Sequence, residues 1–146
     1  MKPDRHSAAV KHSVAVVVRG RDGTFLVVKR PDDVHDTLAG LWGFPAITPV
    51  PGEDDRAAVV RIGRAKLGVE LAAGAKVGER TADRDGYVLH LSEYEAAIVT
   101  GTPSVPQADT SMTQYADAHF TDDPSELSDA ARAGSLCAQI FLMLRG

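Results

Sequence analysis

The stretch PGEDDRAAVVRIGRAKLGVE, residues 51–70, decides how the rest of the chain is read. Pro51-Gly52 ends a loop, the acidic pair Asp54-Asp55 opens a helix, and Gly68 closes it. Ala57, Ala58, Val60 and Leu67 alternate with charged positions at helical spacing, which predicts a helix over 54–67. An acidic first turn and a basic later part (Arg61, Arg64, Lys66) complement the helix dipole. Gly63 lies inside the helix and costs about 1 kcal/mol relative to Ala. Gly68 suits the left-handed residue that follows a helix end.

On the N-terminal side, SVAVVVRG (13–20) and TFLVVKR (24–30) are β-branched and apolar, and the RDG between them makes a hairpin turn. Residues 1–12 are polar and aperiodic and read as a loose arm, which leaves 13–146 as one domain. The segment 31–53 is rich in Pro and Gly and reads as loop, with LWGFPA (41–46) as a short strand. On the C-terminal side, AKVGERT (75–81) and YVLHLSEYEAAIVTG (87–101) predict a second hairpin with one long strand. In it Leu89, Leu91 and Glu93 share one face and His90, Ser92 and Tyr94 the other, unless a bulge resets the register. YADAHFT (115–121) reads as a short strand. A last helix over 128–144 carries the stripe Leu136, Ile140, Phe141 and Leu144. The element order describes an α/β protein with a mixed central sheet between two helical layers, an α/β/α sandwich.

Composition narrows the function. A net charge of −4 argues against a broad nucleic-acid surface, while leaving room for a small anionic ligand on local Lys and Arg side chains. The one cysteine, Cys137, lies in an apolar helical pattern and reads as a core thiol. No apolar run reaches membrane-spanning length and the first residues lack the apolar stretch of a signal peptide, so the expected location is cytoplasmic.

With these motifs in place, the chain resembles the Nudix hydrolases, of the MutT type. The resemblance rests on SVAVVVRGRDGTFLVVKRP, GLWGFPA, PGEDDRAAVVRIGRAKLGVEL and TQYADAHFTDDPSEL. The family signature is Gly, five residues, Glu, seven residues, then Arg-Glu-aliphatic-x-Glu-Glu-x-Gly-aliphatic. Glu53, Arg61, Gly68 and Val69 match it. Ile47 replaces the first Gly, Gly63 takes an aliphatic position, and Ile62, Ala65 and Lys66 stand where three Glu residues belong. In the family those carboxylates hold Mg²⁺ or Mn²⁺ against a diphosphate. Ile62 and Ala65 cannot ligate a hard cation and Lys66 repels one, so no metal ligand is assigned.

The resemblance implies catalytic roles for Glu53 and Arg61; the alternative is an ion pair that fixes loop against helix with no chemistry. Glu95 is the candidate base outside the signature, with Glu79, Glu93 and Asp109 as further carboxylates and His90 and His119 as bases near neutral pH. Trp42 and Phe44 are candidate stacking surfaces, or pins holding the loop to the core. Arg64 and Lys66 are candidate phosphate partners, or solvated charges near a helix end. The expectation is a divergent Nudix-type hydrolase acting on a nucleotide or other diphosphate at a metal-poor site. The alternative is an inactive module of the same fold that binds a nucleotide-like ligand or a protein partner. The resemblance also admits a homodimer.

Overall fold

A computed structural model describes residues 9–32, 37–109 and 111–145 of the 146-residue chain. Its spine is a pair of strands, β1 (Ala9–Arg19) and β6 (Tyr87–Thr100), which run parallel from Ala9↔Tyr87 to Arg19↔Ala97. Between them in sequence come β2 (Phe25–Lys29), β3 (Trp42–Gly43), β4 (Ala46–Ile47), helix α1 (Asp55–Ile62) and β5 (Glu70–Arg84). After β6 follow β7 (Asp117–Thr121), α2 (Ser128–Arg132) and α3 (Leu136–Arg145). The strand order is β3-β2-β1-β6-β5, with β7 on β2 and β4 on β1. Every pairing except β1–β6 is antiparallel, so the sheet is mixed.

Alternation along β1 builds two cores. Val14, Val16 and Val18 face α1 and the turn after it, where Ala58, Val59, Ile62 and Leu67 meet them. Ala15 and Val17 face the other way, onto Leu136, Cys137, Ile140 and Phe141 of α3. The β6 alternation keeps its phase over the same rows. Leu89 and Leu91 join the α3 side and Tyr94 the α1 side, because the irregularities opposite them lie in β5, between Ala73 and Gly78.

The strand β1 starts at Ala9, so residues 9–12, read from the sequence as part of a loose arm, pair with Tyr87–His90. Residues 1–8 lie outside the described set. The helix read over 54–67 is α helical to Ile62 and widens into a π turn over Gly63–Leu67 before Gly68 stops it at φ 72°. Asp54 caps its start, accepting from Ala57 N. Gly63 is buried at the widening. A Cβ there would stand 2.7 Å from both Leu71 Cγ and Val69 O, so close approach of the next strand requires the glycine. The last helix is two helices. The chain breaks at Gly134 (φ 107°), whose carbonyl accepts from Arg84 Nη2 at 2.8 Å. Leu136, Ile140 and Phe141 are buried as the stripe predicts, but Leu144 is 64% exposed, in the last turn of α3. Among the described residues no helix is long and apolar enough to cross a membrane.

Candidate functional site

The loop before α1 is locked to the helix by one ion pair. Arg61 grips Glu53 with both ends of its fork, Nε to Oε2 and Nη2 to Oε1, each at 2.8 Å. Glu53 also accepts from Val50 N, and Arg61 donates to Thr48 O. The Arg61 hydrogen bonds hold the Glu53 carboxyl below the usual range, against a smaller opposing effect of burial.

Lys66, on the π turn, points inward. It is 5% exposed, its Nζ donates to Ala46 O at 2.8 Å, and it lies 4.9 Å from the centroid of the Tyr115 ring. Both contacts favour an ammonium. Burial, and after it the charges of Arg30 and Arg61, act the other way and bring Lys66 down to about 8. Burial prevails because one carbonyl and one ring face replace far less than a full hydration shell. Among the described residues no carboxylate pairs with Lys66.

Two cavities meet at this point. The smaller, about 490 Å³, is walled by Lys66, Arg61, Arg30, Ser111 and Thr113. The larger, about 740 Å³, runs between the sheet and the α2–α3 break, along Trp42, Phe44, Tyr87, Leu89, Leu91 and Cys137. They share Ser13, Arg30, Ala46 and Thr48, so they form one cleft with a cationic end and an apolar arm.

The structure brings together some of the residues singled out in the sequence. Arg61 and Lys66 line the cationic end, with Glu53 behind Arg61. Trp42 lines the apolar arm, half-buried, with its ring edge-on to His119 at 4.4 Å. Phe44 also touches the arm, but it is buried and packs against Phe25 and Phe141. Arg64 lies outside the cleft on the surface, paired with Glu70 at 2.6 Å. Glu95 is likewise outside, on Arg19 at 2.9 Å. His119 meets Glu126 at 2.7 Å. His90 stacks on His12, within a chain of contacts from Glu79 to Asp55. Asp109 accepts from the hydroxyl and N–H of Ser111, which hold its carboxyl below the usual range.

Two groups carry more weight than the sequence reading gave them. Arg30 joins the two cavities, and its only sequence signal is a basic pair at the end of a strand. Glu93 is fully buried, and neither of its carboxylate oxygens has a hydrogen-bond partner among the described residues. Burial pushes it up to about 8, and its charge in turn helps raise Cys137, already raised by burial, to about 11. The signal for Glu93 was its shared face with Leu89 and Leu91.

The family model of the NUDIX domain matches residues 10–129. The chain belongs to the NUDIX domain family. A curated relative, the CTP pyrophosphohydrolase of Escherichia coli, is 34% identical over 89 residues, which span 61% of this chain and 64% of that protein. Among solved structures, the E. coli ORF135 protein is 26% identical, with a TM-score of 0.73 over 97% of this chain and 94% of that one. A NUDIX hydrolase from Nitrosomonas europaea, at 19% identity, shares the fold, with a TM-score of 0.70 over 90% and 85% of the two chains.

Nudix proteins generally use a divalent metal. At the three positions where the sequence resemblance places carboxylates, Ile62 is fully buried in the α1 core, Ala65 has no ligating group, and Lys66 lines the cleft. Among the described residues no group of three or more His, Cys, Asp and Glu side chains is placed to hold a metal ion.

Proposed function

We propose that this Nudix protein binds a nucleoside phosphate in the two-part cleft, with the ring along the apolar arm and the phosphates at the Lys66 end, without a divalent cation. The observation that carries this reading is Lys66 itself. A buried ammonium with no carboxylate partner among the described residues stands at a position where the family signature has a metal-holding carboxylate. A fixed positive charge there draws a phosphate directly, where a carboxylate would repel it unless a metal intervened. Glu53 offsets much of the charge of Arg61, so Lys66, which pairs with no carboxylate among the described residues, supplies most of the attraction. Charge-assisted hydrogen bonds of this kind contribute about 1.5–3 kcal/mol each. The apolar arm suits a ring, and Trp42 on its wall offers aromatic surface. The substrate named for the E. coli relative, CTP, is a molecule of this class.

Hydrolysis of the bound diphosphate is the second reading, favoured by family membership and by the intact Glu53–Arg61 clamp. A thermal-shift screen of nucleoside mono-, di- and triphosphates in chelator tests the first reading. Stabilisation by a nucleotide, weakened in both Trp42→Ala and Lys66→Met, is the expected result. If no nucleotide stabilises the wild type, the binding reading is wrong. Phosphorus NMR of the same mixtures, with and without Mg²⁺, decides turnover. Released phosphate or pyrophosphate would make the protein an enzyme, and unchanged nucleotide a binding module.

A further inference from the structure

Lys66 is placed for chemistry as well as for charge. Its stem is buried and its Nζ reaches the wall of the smaller cavity, tethered by one carbonyl, Ala46 O. Arg30 and Arg61 stand on the same cavity wall, and the hydroxyl residues Ser13, Thr48 and Thr113 line it as well. An amine pressed by burial and by neighbouring cations gives up its proton more readily than a solvated one, and the free amine is a nucleophile. At about 8, Lys66 has roughly one free amine in ten at neutral pH, against about one in a thousand or fewer for an ordinary lysine.

We propose that Lys66 is a covalent-capture site for small phosphorylated aldehydes and ketones, its amine taking the carbonyl carbon while the cationic wall on which Arg30 and Arg61 stand draws the phosphate. The free amine adds to the carbonyl carbon, forming the C–N bond, and the carbonyl oxygen gains a proton to become a hydroxyl. The nitrogen lone pair then expels that oxygen as water and leaves an imine. One amine and one carbonyl give one imine and one water, with no change of oxidation state. The cavity of about 490 Å³ is roomy enough for an open-chain sugar phosphate. This capture uses the cationic end shared with the nucleotide reading but not the apolar arm, so either can fail while the other stands.

The test is reductive trapping on the wild-type protein. Glycolaldehyde phosphate is added with cyanoborohydride, which reduces an imine to a stable secondary amine, and the labelled lysines are located by peptide mass mapping. Lys76, a surface lysine paired with Glu79, is the comparison within the same folded sample. Lys66 is expected to label at least about tenfold faster than Lys76, in keeping with the free amine that burial releases at Lys66. Inorganic phosphate should protect Lys66 alone, and plain glycolaldehyde should show much less preference for it. Arg30→Gln should reduce the preference for the phosphorylated aldehyde. Equal labelling of Lys66 and Lys76, no protection by phosphate, or equal reaction with plain glycolaldehyde would each overturn the assignment. Because Lys66 and Lys76 are compared within one protein, the result does not depend on a variant folding.

Discussion

Replacing Glu93 with an apolar residue should change how stability depends on pH, in a predictable direction. Glu93 has no exposed surface, and neither carboxylate oxygen has a partner among the described residues, so burial raises it from 4.5 to about 8. Between those values the folded state holds a proton that the unfolded chain releases. Stability contributed at this site is therefore full below about 4.5, falls as pH rises, and is lost above about 8. At about 1.4 kcal/mol per pH unit the difference sets a ceiling of roughly 5 kcal/mol, and on the order of 3 kcal/mol falls between pH ~5 and pH ~8. Glu93→Met keeps the length of the side chain and removes the titration. Urea unfolding of both proteins across this range measures the difference directly. Glu93→Met should gain on the wild type as pH rises, by about 3 kcal/mol from one end to the other. Parallel pH profiles for the two proteins would refute the assignment of Glu93 as a buried, unpartnered acid.

Two further substitutions probe the helix that carries the signature. Ile62→Glu restores a family carboxylate at a position with no solvent exposure, and should cost at least about 3 kcal/mol of stability by burying an unpaired charge; a mild effect in urea unfolding would show that position 62 can reach solvent. Gly63→Ala gains about 1 kcal/mol of helix propensity but places a Cβ 2.7 Å from Val69 O and Leu71 Cγ, so thermal unfolding should show a net loss of about 1–3 kcal/mol.

The parts of the fold written in local pattern were legible from the sequence. The alternation of β1 and β6 set which face of each strand met which helix, and Asp54 and Gly68 marked the ends of the signature helix. The π turn was not legible, because the need for Gly63 arises from Val69 and Leu71, which return against it after the helix has ended. The break at Gly134 was hidden in a small-residue run that carries no stop signal beyond one glycine. At the site, Glu53, Arg61 and Lys66 came from the signature positions. The position of Arg64 depends on Glu70 and that of Glu95 on Arg19, and neither pairing has a pattern in the sequence. Phe44 sits between Phe25 and Phe141, from opposite ends of the chain, so its depth follows from the closed fold alone. The place of Arg30 between the two cavities is equally a product of tertiary convergence.

The central claim is that a lysine, in place of a metal, provides the positive charge that receives phosphate. Calorimetric titration of CTP into the protein, in chelator and again with Mg²⁺, at pH ~7 and pH ~9, tests it most directly. Lys66 is charged below about 8 and loses its proton as pH rises through that value, so binding should be tighter at the lower pH. The account predicts binding in chelator at pH ~7 that Mg²⁺ does not strengthen and that weakens by about tenfold at pH ~9. Binding that appears only with Mg²⁺, or that is indifferent to this change of pH, would contradict it.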